Sequence, residues 1–196
     1  MSGAKQPLTA EVILAAAESV IRRHGPSKAT VVDVARELGV SHTAVYKHFS
    51  SKQALREAVT QRWLEPNRKQ LAVIAGAGDT APAERLRAWL HTVLVTKREK
   101  AASEPELFAA YGILAAENSA IAEAHVKDLL SQLAAIVAAG IADGTFAVHD
   151  AAAAGRAIFD ATTRFHHLAH VEDWRNDHIV ADLDAVCTLL LDGLAR

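Results

Sequence analysis

The sequence Thr30-Val-Val-Asp-Val-Ala-Arg-Glu-Leu-Gly39-Val-Ser41-His-Thr-Ala-Val-Tyr46-Lys-His48, continued by Phe49-Ser50-Ser51-Lys52, encodes two short helices around one glycine. Val31, Val34, Ala35 and Leu38 recur at i, i+3, i+4 and i+7, which is one face of a helix. Asp33, Arg36 and Glu37 occupy the other face. Thr30 suits the N-cap, and Asp33 three residues on suits the positive end of the helix dipole. Gly39 stands where a left-handed C-cap needs a residue without Cβ. Ser41 then caps a second helix, with Ala44, Val45 and Phe49 turned inward and Thr43, Tyr46 and Lys47 sharing the outer stripe. Hydroxyl, phenol and ammonium groups on one stripe suit base edges and phosphates. The pattern is that of a helix-turn-helix, whose second helix enters a DNA major groove. The plainer alternative is an amphipathic helix pair in a helical domain.

Working outward, Thr9 caps a first helix reaching about His24. Its stripe is Ile13, Ala16, Ala17, Val20 and Ile21, and Gly25-Pro26 stops it. Residues 1–8 read as a flexible lead. A fourth helix starts at Ser50 or Ser51 with Leu55, Ala58, Val59 and Trp63 on one face, and Pro66 is expected to break or kink it. Gly76 and Gly78 mark a loop, and Pro82 opens a fifth helix to about Ser103. Glu104-Pro105 begins a sixth helix with Phe108 and Tyr111. Asn118-Ser119 separates it from a seventh, ending near Ala139 at Gly140. Asp150 caps an eighth helix, expected to reach Leu168 or beyond, and Asp177 caps a ninth. The fold class is therefore all-α with about nine helices. A three-helix DNA-binding domain at 1–50 leads through a connecting helix at 51–64 to a larger domain at 65–196.

Of the 196 residues, 51% are hydrophobic, enough for a full core. Net charge is −2, unevenly placed. Residues 1–63 hold nine Lys/Arg against five Asp/Glu, a balance of +4; residues 64–196 hold 12 against 18, a balance of −6. Phosphate contact requires only a local basic surface, and an acidic body helps to orient the basic end toward DNA. No apolar run approaches the ~18–20 residues of a membrane span, and no secretory h-region opens the chain. Cys187 is the lone cysteine and reads as a buried thiol. These features fit a reduced, cytoplasmic protein that contacts no membrane. There is no phosphate loop, nucleophile elbow or His-Glu-x-x-His, so no enzyme chemistry and no cofactor is expected.

Thr30-x-x-Asp33-x-Ala35-x-x-Leu38-Gly39-Val40-Ser41, Val45-Tyr46-x-His48-Phe49 and Lys52-x-x-Leu55 resemble the TetR/AcrR-type transcriptional regulators, closely over residues 9–64. The resemblance implies a regulator, most simply a repressor, released from a palindromic operator in double-stranded DNA by a small-molecule effector. Thr30 is implied to bond a phosphate. Ser41, His42 and Thr43 are implied to meet base edges or nearby backbone. Tyr46, Lys47 and His48 are placed at sugar, phosphate or base, and Lys52 at a phosphate. The recognition helix carries no Arg, Asn or Gln, so the strongest bidentate base readers are missing. Specificity then leans on Lys47, the hydroxyls and DNA shape.

The same resemblance implies a homodimer joined by the last two helices. Ile158, Ala161 and Phe165 are expected to contribute from the eighth helix, and Leu183, Val186, Cys187, Leu190 and Leu194 from the ninth. Two heads about one helical turn apart match a palindrome. Trp89, His91, Phe108, Tyr111, Arg164 and His167 are candidates for the effector pocket. His166 and His170 at i, i+4 would share one helical face and seat a metal, with His125 or carboxylates completing the site. A metal-responsive regulator is thus one alternative, and a helical binding module without DNA contact is another.

Overall fold

The structure, a computed structural model, describes residues 7–26, 29–117 and 119–195. Of the segments read from the sequence, residues 1–6 of the lead and Asn118 lie outside the described residues. Nine α-helices and three short 3-10 segments are present among them, with no strand. The helices are α1 (Ala10–His24), α2 (Val31–Leu38), α3 (His42–Tyr46), α4 (Lys52–Gly76), α5 (Pro82–Ser103), α6 (Pro105–Ala116), α7 (Ala120–Ala142), α8 (Ala151–Ala161) and α9 (Ile179–Leu194).

The chain divides into two compact units. Unit 1 holds residues 1–64 and 104–121, and unit 2 holds residues 65–103 and 122–196. One division falls at 64/65, and α6 groups with the N-terminal helices. The reason is visible in unit 1. Arg22 of α1 donates to Glu104 Oε1 at 2.6 Å, and Trp63 Nε1 of α4 donates to Glu104 Oε2 at 2.5 Å. Phe108 and Tyr111 stand against the Trp63 ring, with centroids 6.2 and 6.3 Å away. The core of this unit is the predicted stripe of α1 with Val31, Val34, Ala35, Val45, Leu55, Val59 and Trp63, all buried.

In unit 2, α5 packs on α9. Trp89, Leu94, Leu133, Ile136, Ile179 and Leu183 are fully buried there, and Trp89 Nε1 donates to Gln132 Oε1 at 2.9 Å. α7 and α8 approach closely at Gly155, where a Cβ would stand 2.9 Å from the backbone nitrogen of Ala134.

Several boundaries differ from the sequence reading. Pro66 does not break α4, which is continuous from Lys52 to Gly76. Pro66 itself is exposed. α7 runs three residues further than expected, to Ala142, with Gly140 buried inside it. It is also long and apolar enough to cross a membrane by length and composition, contrary to the expectation that no such run exists. Its Leu129, Leu133, Ile136 and Val137 are buried against the rest of unit 2, as in a core helix. α8 stops at Ala161. There Thr162 Oγ1 donates to the Ile158 and Phe159 carbonyls and Thr163 Oγ1 to the Asp160 carbonyl, and 3-10 turns follow. α9 begins at Ile179 behind His178, not behind Asp177.

Candidate nucleic-acid interface

The α2–α3 pair is built by capping. Thr30 Oγ1 accepts from the Asp33 backbone N–H at 3.2 Å, and Asp33 Oδ2 accepts from the Thr30 N–H at 3.1 Å, a reciprocal capping box. The Thr30 hydroxyl also donates to Asp33, and this bond above all holds the Asp33 carboxyl below its ordinary range. Gly39 adopts φ 62°, ψ 33°, the left-handed turn expected of it. Ser41 Oγ then accepts from the Ala44 N–H at 3.3 Å and starts α3.

α3 is anchored by one side chain. Val45 is 0% exposed, while Ala44 and Phe49 are half-buried. Around that anchor Ser41, His42, Thr43, Tyr46, Lys47 and His48 are all exposed. The His42 and Tyr46 rings meet edge to face, with centroids 6.5 Å apart, so each limits the rotation of the other. Tyr46 is 45% exposed, unusual for a residue with so large an apolar ring. Thr30 and Lys52 line a single cleft of unit 1, although 22 positions separate them in sequence. At the start of α4, Ser51 Oγ accepts from the Ala54 N–H at 3.0 Å. An exposed ammonium at the start of a 25-residue helix suits a phosphate, because the helix dipole adds to its charge.

The six effector-pocket candidates fall in both units. Phe108 and Tyr111 belong to unit 1 and pack on Trp63. In unit 2, Trp89 is a core residue bonded to Gln132. His91 Nε2 lies 2.7 Å from Asp184, and Arg164 donates to Asp182 at 2.9 Å. His167 is exposed, its Nδ1 accepting from the Ala169 N–H. These four have separate local partners and do not assemble as a set within the unit.

The dimer stripe needs a like correction. Ile158, Phe165, Leu183, Cys187 and Leu194 are buried within the single chain, so they form its own core. Amphipathic periodicity identifies a buried face without saying what covers it. Ala161 is exposed, and Val186 and Leu190 are half-buried. On α9 the outward apolar side chain is Leu189, 73% exposed, which the sequence reading passed over.

His166 and His170 do not share a helical face, since α8 ends before both. His166 is buried with its Nε2 2.9 Å from the Phe159 carbonyl, and His170 Nδ1 lies 3.1 Å from Asp173. Among the described residues, no group of three or more His, Cys, Asp or Glu side chains could hold a metal ion.

Residues 13–59 match the family described as bacterial regulatory proteins, tetR family, and residues 82–187 match the tetracyclin repressor-like C-terminal domain. An uncharacterized HTH-type transcriptional regulator of Mycobacterium tuberculosis is 31% identical over 103 residues, 52% of this chain and 50% of that protein. The chain thus spans about half the length of the curated relatives it matches. Among solved structures, SmeT in complex with triclosan aligns with a TM-score of 0.69 at 22% identity, covering 95% of this chain and 91% of that one. SmeT is the repressor of a Stenotrophomonas maltophilia multidrug efflux pump. FadR of Thermus thermophilus, a repressor in complex with lauroyl-CoA, aligns with a TM-score of 0.64 at 20% identity over 96% of each chain. At that identity the likeness is one of fold.

Proposed function

The chain belongs to the TetR family of bacterial regulatory proteins, and from that membership we propose that it is a cytoplasmic, ligand-responsive repressor working as a homodimer on a palindromic operator. The observation that carries this reading is the construction of α3. One buried valine fastens it, and six consecutive or neighbouring polar residues stand exposed around that anchor. No packing requirement of the unit explains a tyrosine, a lysine and two histidines on one short outward face.

Thr30, Tyr46, His48 and Lys52 would take the phosphate backbone, and Ser41, His42, Thr43 and Lys47 the groove. Backbone contacts fix register, so Tyr46 and Lys52 determine affinity more than sequence choice. His42 and Lys47 carry what direct reading the helix offers. Val186, Leu189, Leu190 and Gly193 fall at i, i+3, i+4 and i+7 on α9, and this outer stripe supports pairing with a second subunit. Two fold neighbours hold triclosan and lauroyl-CoA, which supports an effector role for the larger helical part. The effector releases DNA by binding more tightly to the state whose heads do not fit successive grooves.

Mobility-shift and footprinting titrations against the protein's own promoter test the reading. A protected palindromic site is expected. Failure to retard any promoter or genomic fragment at low salt, where phosphate contacts are strongest, would remove it.

A further inference from the structure

The cleft of unit 1 that Thr30 and Lys52 line is walled by α1, α2 and α4. Ile21, Val34, Leu55 and Val59 make its floor, and all four are buried. Its polar lining is Thr30, Lys52 and Arg56, so both charged side chains are basic. The space amounts to about 330 Å³, part of it continuous with solvent. Mostly apolar walls with a few polar groups are the make-up of a small-molecule site.

The Arg56 guanidinium is satisfied on one side. Its Nη2 donates to Glu117 Oε2 at 2.8 Å and to Gln53 Oε1 at 2.5 Å. Its Nε is buried and, among the described residues, has no hydrogen-bond partner. A buried N–H without an acceptor has lost its hydration for nothing, so a group that brings an acceptor recovers that loss. Lys52 stands one turn earlier on the same helix and is exposed. The carboxylates bonded to the lining are already engaged: Asp33 with Thr30 and Arg36, and Glu117 with Arg56. An anion that reaches the cleft therefore meets an ammonium and an unused guanidinium N–H beside an apolar floor, where charge-assisted hydrogen bonds are strong.

We propose that this cleft binds a small aromatic carboxylate, its ring on the apolar floor and its carboxylate between Lys52 and the Arg56 Nε–H. The floor selects an apolar body, the two cations select its charge, and the limited space selects a single ring. The site belongs to unit 1, whereas the effector role was assigned to the larger helical part. Lys52 cannot serve this carboxylate and a DNA phosphate at once, so the acid competes with the operator directly. That consequence rests on the reading of Lys52 as a phosphate contact; the site itself does not.

Amide-resolved NMR titration of the full chain without DNA tests the site, with benzoate as the probe beside benzyl alcohol. Benzoate is expected to shift the amides of Ile21, Thr30, Val34 and Leu55 in one saturable transition. It should bind about tenfold or more tighter than the alcohol, the factor one charged hydrogen bond supplies. Lys52→Met and Arg56→Met should each weaken benzoate several-fold and leave benzyl alcohol unchanged. If Arg56→Met loses the helical signal in circular dichroism, Lys52→Met, a change at an exposed position, decides alone. No saturable shift, shifts confined to unit 2, equal affinity for acid and alcohol, or benzoate binding unaltered in the folded variants would overturn the proposal. Operator retardation in sodium benzoate against equal sodium chloride then reads the competition, since salt alone weakens phosphate contacts. Weaker retardation in benzoate is expected, and equal retardation would overturn the competition. The two readings fail separately. A chain that retards its operator but shows no acid preference loses only this inference. A chain that binds benzoate at these amides but retards no DNA loses only the regulator reading.

Discussion

Lys47, beside α3, and Lys52, at the start of α4, are both exposed, so their contribution to DNA affinity is measurable as charge. Each phosphate contact releases condensed counterions, and removing one should lower the slope of log affinity against log salt by about 1. We expect Lys52→Ala to do this uniformly across operator variants. Lys47→Ala should also blur discrimination at one base step if that lysine reaches a base. Fluorescence anisotropy at several salt concentrations separates the two. Tyr46→Phe removes one hydroxyl and keeps the ring against His42, so a loss on the order of 1 kcal/mol is expected with no change in thermal stability. Sequence carried this residue-level reading far, because Thr30, Asp33, Gly39 and Ser41 are capping residues whose spacing is local. It did not reveal the contact between Lys97 and the His166 carbonyl, which lie 69 positions apart. Only the return of the chain after α8 brings the two together.

At the scale of elements, α8 and α9 show where pattern stops informing. An alanine-rich stretch from Ala151 onward has strong helical propensity, yet Thr162 and Thr163 turn their hydroxyls onto preceding carbonyls and the helix ends. The i, i+4 spacing of His166 and His170 therefore never becomes a helical face. Gly155 makes a second point about α8. Alanine is the better helix former by about 1 kcal/mol, but its methyl would press on the Ala134 backbone, which cannot swing aside as a side chain can. Gly155→Ala is expected to lower thermal stability by about 1–3 kcal/mol, the range of overpacked cores; a neutral or stabilising result would show that α7 and α8 separate freely. On α9, Leu189→Glu places a charge on the outward apolar stripe. Analytical ultracentrifugation should show the variant as a monomer with unchanged helix content, whereas Cys187→Ala, a core change, should reduce stability and leave assembly intact.

For the molecule as a whole, charge and protonation differ between the first 63 residues and the remainder. The first 63 residues are net basic and the remainder net acidic, so nonspecific DNA affinity belongs to the first part and falls steeply with salt. The acid sensitivity of the fold belongs to the second. His125 and His166 titrate near 3 and near 4 when folded, mainly because burial disfavours their charged forms. Below pH 6.5 the unfolded chain takes up protons that the folded chain does not. Stability therefore falls as pH drops from about 6.5 toward 4, by on the order of 2 kcal/mol per histidine at pH 5. Urea unfolding between pH 7 and pH 5 should show this slope, with His166→Gln removing about half of it.

The central claim is that the exposed face of α3, held by Val45 and flanked by Thr30 and Lys52, reads an operator as one of a symmetric pair. Footprinting of the protein's own promoter tests it most directly. We expect one protected palindrome whose half-sites lie about one helical turn apart, lost in the Tyr46→Ala, Lys52→Ala double variant while its fold and assembly persist. Protection without two-fold symmetry, or an unchanged footprint in that variant, would contradict it.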